Sequence, residues 1–268
     1  MSNSVIIVMQ GGIGNQLFQY AAGLSIVNAN NGELWLNPAE LNKHSNMDYR
    51  KQLYIRAKSS GIDGNPKITA ITEQSNGFNK WNPSDYKDKE LIRLKGYYQY
   101  LPAIQSEVSM ICKDILEILA DKRKTLSEKY LIKDTLMCGF IHIRRGDYLQ
   151  YSNIHWLQDE TYYKAGINYI QKELNHTIQW FVLSDDIQWC KSQPWLNSHN
   201  YTFVDEQNEL DGLMIMSLCE GAAIIANSTY SWWGAMLGCA RKNTPVVYPL
   251  KWYKDVKPDL FLQEWKAL

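Results

Sequence analysis

Short apolar runs recur along this chain, with amphipathic stretches between them. Val5–Met9 is the first and Cys138–Ile143 another; Ile178–Leu183, Tyr201–Val204, Ala222–Ala226 and Thr244–Tyr248 follow at intervals of roughly twenty residues. Each is about a strand long and rich in β-branched or aromatic types, so each predicts a buried strand. Helical periodicity predicts helices over Gln16–Asn28, Ile104–Leu119, Thr161–Leu174 and Ser231–Arg241. Strands alternating with helices imply an α/β fold on a parallel sheet. Between Leu41 and Tyr86 the pattern is polar and irregular and predicts no element. The charged run Asp121–Lys133 reads either as a solvated helix end or as a connector. As a connector it divides the 268 residues into a domain over 1–133 and another over 134–268. The expected architecture is two Rossmann-like domains facing a cleft.

Composition narrows the partners. Lys+Arg and Asp+Glu are 28 each, so no global field draws the chain to nucleic acid or to an anionic membrane. Any anion must be held by a local constellation. Ten Trp and 17 Tyr against six Phe supply rings that suit stacking on sugars or bases as well as core packing. Cys112, Cys138, Cys190, Cys219 and Cys239 are odd in number and contain no Cys-x-x-Cys. That disfavours a disulfide framework or a zinc site and indicates a reducing compartment. No apolar run approaches the about 18 residues of a membrane span, and MSNSVIIVMQGG lacks a basic leader. The expectation is a soluble, cytoplasmic protein without a transmembrane segment.

Four constellations carry candidate chemistry. Gly11-Gly12-Ile13-Gly14-Asn15-Gln16 lies between a strand and a helix, where backbone N–H groups and the helix dipole favour an anion. It is equally readable as a tight βα turn. Leu17 stands where a dinucleotide fingerprint needs its third glycine. His142-Ile143-Arg144-Arg145-Gly146-Asp147 follows a buried strand, and period-two alternation puts Phe140, His142 and Arg144 on one side. Arginines at the carboxyl end of a parallel strand suit phosphate oxygens, with Asp147 bracing a guanidinium; the alternative is a purely structural Arg–Asp pair. Asn227-Ser228-Thr229-Tyr230-Ser231 ends a strand and opens a helix, which makes either a second phosphate cradle or an ordinary N-cap. Ser184-Asp185-Asp186 could hold a metal, cap a helix, or accept from guanine N1–H and N2–H; the last two fit better beside so many cations.

Taken together, GGIGNQLFQY, HIRRGDY, FVLSDD and NSTYSWWGAMLG, in that order across nearly the whole chain, resemble glycosyltransferase family 11, the α-1,2-fucosyltransferases. The resemblance implies a GT-B-like architecture and inverting, metal-independent transfer of L-fucose from GDP-β-L-fucose to O2 of a terminal galactose. No cofactor is implied beyond the GDP-fucose donor. The acceptor implied is a galactose-terminated oligosaccharide, including lipid-linked units of a bacterial surface polysaccharide. The N-terminal domain would lie on the acceptor side and the C-terminal one would bind the GDP-sugar. Carried over position by position, Arg144 would contact the pyrophosphate, His142 would position the nucleotide or the loop and Asp147 would orient Arg144 and Arg145. Asp185 would read guanine, Ser228 and Thr229 would hold phosphate oxygens, and Gly12 and Asn15 would close over the fucosyl group.

The general base is where this chain departs from related core-fucosylating enzymes, in which a glutamate follows the arginine motif. Here Tyr148–Asn153 holds no carboxylate. His155 is the nearest titratable group and is taken as the candidate base, with Asp48 as a second; the alternative for either is a structural or acceptor-binding role, with a dissociative route that needs little base. Three rivals stand beside this reading. One is a non-catalytic glycan- or nucleotide-binding module. Another is a metal-dependent transferase using Asp185 and Asp186 with another GDP-sugar. The third, a dinucleotide oxidoreductase, is disfavoured because Trp35-Leu36-Asn37 lacks a terminal acidic residue.

Overall fold

A computed structural model describes residues 4–41, 48–59, 68–73, 79–151, 154–198, 200–206, 208–253 and 258–268. The chain forms two compact units, residues 1–118 with 258–261 and residues 119–257 with 262–268.

The first unit contains β1 (Ser4–Val8), α1 (Ile13–Asn30), β2 (Glu33–Asn37), β3 (Lys58–Ser59), β4 (Thr69–Thr72), β5 (Leu91–Lys95) and α2 (Leu101–Ile118). Its sheet runs β3-β2-β1-β5-β4 with every pair parallel. Helix α1 buries every residue from Ile13 to Val27 except Asn15. It has no polar face because α2 also covers it: Ser25 Oγ donates to the Ala103 carbonyl at 2.6 Å. The helix starts at Ile13 rather than Gln16, with Gly12 as N-cap, and ends on Asn31 in the left-handed region (φ 52°). Short strands with exposed residues, as in β4, explain why Leu41–Tyr86 showed no periodicity.

The second unit contains α3 (Ala120–Lys129), β6 (Cys138–Ile143), α4 (Glu160–Leu174), β7 (Gln179–Ser184), α5 (Ile187–Ser192), β8 (Tyr201–Phe203), α6 (Glu209–Leu218), β9 (Ala222–Ile224), α7 (Thr229–Leu237), β10 (Val246–Tyr248) and β11 (Lys266–Ala267). The sheet order is β11-β10-β9-β6-β7-β8, again all parallel. The boundary placed at Lys133 by the charge pattern falls between Ile118 and Leu119 instead. The reason is that α3 packs on α6 through its charges. Lys122 pairs with Asp211, and Arg123 reaches the buried Glu220 at 3.1 Å. Helix α7 stops at Leu237, and a short 3-10 turn, Ala240–Lys242, replaces its expected last turn.

In each unit the chain winds outward from a central strand and then resumes on that strand's other side. The reversal falls between β1 and β5 in the first unit and between β6 and β9 in the second. Open parallel sheets bind ligands at the carboxyl ends of strands beside such a reversal. The second unit's core packs Ile141, Ile143, Ile167, Trp180, Val182 and Ile224. Trp232 and Trp233 are fully buried, so this pair is core rather than sugar platform. All five cysteines are buried and none forms a disulfide, and burial pushes the Cys138 and Cys190 thiols up to about 11. Among the described residues no helix is long and apolar enough to cross a membrane.

Candidate functional site

All six residues of β6 are buried, and its carboxyl end delivers the arginine motif beside the reversal. Ile141 and Ile143 enter the core cluster, whereas the His142 ring meets Tyr230 edge-on at 5.6 Å. His142 is 4% exposed and its Nδ1 has no partner among the described residues. Burial first, and the Arg144 charge second, lower its pKa to about 3. The imidazole is therefore neutral near pH 7, with one ring nitrogen left for a ligand.

The two arginines diverge. Arg144 places Nη2 2.5 Å from Asp147 and Nη1 2.6 Å from Asp185, with its guanidinium 5.2 Å from the Tyr148 ring centroid. Arg145 turns onto α5, where its guanidinium lies 3.7 Å from the Trp189 ring centroid and Nε donates to Asp186 at 3.1 Å. Arg145 thus braces the loop, and Arg144 is the cation presented at the strand end. Asp185 is the pin between them. Its Oδ1 accepts the Arg145 backbone N–H at 2.8 Å and its Oδ2 pairs with Arg144. Gly146 packs directly over this carboxylate, for a Cβ there would meet Asp185 Oδ2 at 2.3 Å. Asp186 caps α5 by accepting from Trp189 N at 3.2 Å. Reading guanine would therefore require Asp185 to share or release one of its present partners.

The next strand over supplies a helix N-terminus. Ser228 is the N-cap of α7 without a side-chain cap bond, and the first turn carries no acidic residue. Thr229 is thus the first helical residue, two before the predicted start. Early N–H groups and an unneutralised dipole favour an anion at this end. Two contacts tie α7 to the arginine loop: Tyr148 Oη donates to the Asn227 carbonyl at 2.9 Å, and Tyr230 packs on His142. The Asn227 side chain in turn donates to the carbonyls of Trp156 and Trp252.

His155 sits beside this loop, its ring stacked on Tyr148 (3.9 Å, 10°) and tilted against Tyr253 at 4.9 Å. Burial lowers its pKa, with Asp147 opposing and Arg144 adding to the shift. His142, Arg144, Arg145, Asp147, His155, Asp185, Ser228 and Thr229 all belong to the second unit, and Gly12 and Asn15 to the first.

In the first unit the glycine turn is rigidly built. Gly11 has φ +71°, and its carbonyl accepts from Gln16 Nε2 at 2.8 Å. Asn15 Oδ1 accepts from Gln99 Nε2 at 3.0 Å, and Gln19 bonds both Gln10 N and the Gly96 carbonyl. Among the described residues nothing lies within 4 Å of a Cβ built at Gly12. A residue missed by sequence reasoning lies on the same rim. Glu73 follows β4 and accepts the N–H groups of Tyr97 and Tyr98 at 2.7 and 2.9 Å, and burial raises its pKa. It fell in the stretch without periodicity; a carboxylate directly after a strand was the only available signal. Asp48 opens a 3-10 turn, Asp48–Leu53, but its side chain lies outside the described residues.

A cation and an uncapped helix N-terminus at a sheet reversal suit a nucleotide diphosphate, and two Rossmann-like units in one chain are the plan of GT-B-type transferases. The chain belongs to glycosyl transferase family 11, whose model matches residues 2–268. It is thus a glycosyltransferase. It is 28% identical to an Escherichia coli alpha-1,2-colitosyltransferase, over 93% of this chain and 92% of that protein. It is 32% identical to the O-antigen biosynthesis glycosyltransferase WbnK of Escherichia coli, over 64% of this chain and 59% of that protein. Among solved structures, POFUT1 in complex with GDP shares the fold at TM-score 0.57 and 10% identity, covering 92% of this chain and 98% of that one. The fucosyltransferase NodZ from Bradyrhizobium does so at TM-score 0.53 and 12% identity, over 89% and 94%.

Proposed function

We propose that the protein transfers L-fucose from GDP-β-L-fucose to O2 of a terminal galactose with inversion and without a metal ion. The observation that carries this reading is Arg144, held by Asp147 and Asp185 at the carboxyl end of β6 beside the N-terminus of α7. Cleavage of the bond between fucose C1 and the β-phosphate oxygen leaves charge on the departing phosphate. Arg144, the Ser228 hydroxyl and the N-terminal end of α7 stabilise that charge as it develops. The unpartnered His142 Nδ1 and the Asp185 carboxylate face the nucleoside, with Arg145 bracing the loop from behind. The galactose O2 attacks C1, and its proton passes to His155, whose lowered pKa keeps it unprotonated near neutrality.

A second donor is favoured by one finding, the similarity to an alpha-1,2-colitosyltransferase across nearly the full length of both proteins. Colitose is the 3-deoxy counterpart of fucose, so the same diphosphate chemistry serves either sugar. Parallel assays of GDP release with GDP-fucose and GDP-colitose, each with lactose, separate the two. A kcat/KM for GDP-colitose more than tenfold above that for GDP-fucose would reassign the donor.

A further inference from the structure

Away from the strand ends, the first unit carries a groove of about 420 Å³ between α1, α2 and the turn at Trp81–Pro83. Pockets of about 300–1,000 Å³ accommodate small ligands. The groove begins near Ser25, and α1 starts at Ile13. At about 1.5 Å per residue, that is roughly 18 Å along the helix from the glycine turn. It is therefore a different place from the rim that holds Gly12 and Asn15.

Its walls have a definite chemistry. Trp81 and Tyr100 supply aromatic faces, and Asn28, Asn82, Ser106 and Glu107 supply polar edges. Among the described residues no Lys, Arg or His lines it, which disfavours phosphates and nucleotides. Glu107 is 6% exposed and is held from two sides: its Oε1 accepts from Asn28 Nδ2 at 3.2 Å and its Oε2 from Ser106 Oγ at 2.7 Å. Those donors spread the charge and leave lone pairs on both oxygens for hydroxyl groups. The Asn82 carboxamide is fixed because Oδ1 accepts from Ser84 N and Ser84 Oγ. That bond aims its Nδ2 donors elsewhere. Trp81 is set by edge contacts with Tyr86 and Tyr98, at 6.2 and 5.7 Å. Aromatic faces with a bonded carboxylate and an oriented amide, and no cation, match a neutral polyhydroxylated ring.

We propose that this groove is a second glycan-binding site, taking one or two residues of a neutral saccharide outside the reaction site. It goes beyond the proposed reaction, because the groove chemistry alone assigns its ligand class. A site of this kind would hold the body of a long acceptor and lower KM for chains relative to disaccharides.

The test is saturation-transfer NMR with maltotriose and chitotriose, neither of which ends in galactose, on wild type and two variants, with GDP present throughout. Ser106→Trp fills the groove from an exposed position on α2, so the fold is retained; Arg144→Ala disables the proposed reaction site. The expected result is saturation transfer to at least one saccharide in wild type and in Arg144→Ala, reduced at least tenfold in Ser106→Trp. Ser106→Trp should keep wild-type turnover of a disaccharide acceptor and an unchanged Tm. Absence of transfer to both sugars, or transfer undiminished in Ser106→Trp, overturns the proposal. Loss in Arg144→Ala alone would place the signal in the reaction site and also overturn it. None of these outcomes bears on the transferase reading, which the disaccharide turnover reports separately.

Discussion

Gly146→Ala is the sharpest perturbation of the arginine loop, because it adds one methyl group and removes no functional atom. An alanine Cβ would lie 2.3 Å from Asp185 Oδ2, about 1.1 Å inside the 3.4 Å of ordinary contact. The carboxylate cannot swing away freely, since it is pinned by the Arg145 N–H at 2.8 Å and by Arg144 Nη1 at 2.6 Å. A retreat of that size stretches the Arg144 contact beyond hydrogen-bond range. Charge-assisted bonds of this kind are worth about 1.5–3 kcal/mol, which corresponds to roughly 10–100-fold in rate. Because Arg144 and Asp185 are partly exposed, the effect on stability is smaller, about 1 kcal/mol, or roughly 2–4 °C in Tm. Steady-state GDP release should therefore show kcat/KM reduced by roughly 10–100-fold in a folded enzyme. A double-mutant cycle sharpens the test: in an Asp185→Ala background the alanine at 146 has nothing to strike, and its cost should vanish. A Gly146→Ala enzyme within threefold of wild type, or a cost undiminished in that background, would refute the reasoning.

Arg144→Ala should lower kcat by roughly 10²–10³ while lowering the Tm by only about 2–4 °C, and a folded variant within threefold of wild type would remove its role. If His155 is the base, the rate rises with pH through a pKa below the usual 6.5 and is flat above it; His155→Gln should abolish that acid limb in the pH–rate profile. His142 is buried neutral, with its pKa lowered to about 3, so the unfolded chain binds the proton that the folded one refuses. Its contribution is fully present above pH 6.5 and is lost as pH falls toward 3. Urea titration should show wild type losing about 2 kcal/mol more than His142→Phe between pH 6.5 and 5. Glu220 accepts from Arg123, Arg241 and Thr135 in a buried knot, so Glu220→Ala should cost about 1–3 kcal/mol in the same assay, less than a fully buried triad because the arginines are partly exposed.

The second unit was legible in the sequence because its strands are buried on both faces. Runs such as Cys138–Ile143 and Ile178–Leu183 leave an unbroken apolar signal, and the chemistry sits where each run ends. Most of the first unit's sheet was not legible. β3 is two residues long, β4 is mostly exposed, and neither leaves a period to read. Glu73 was lost with them. The domain boundary was misplaced because a charged run looks like a linker when its partners are distant in sequence; Lys122 and Arg123 meet Asp211 and Glu220 about 90 residues on. The different fates of Arg144 and Arg145 were also invisible. Adjacent arginines look alike until Trp189 and Asp186 claim one of them.

The proposal that this family 11 protein moves fucose through a metal-free, arginine-centred site is open to direct measurement. Its most direct test is GDP release from GDP-fucose in EDTA, with and without lactose, followed by NMR of the product. The account predicts acceptor-dependent release that EDTA leaves intact and a new bond at galactose O2. Release that appears only with added Mn²⁺, or none with lactose while GDP still binds, would contradict it.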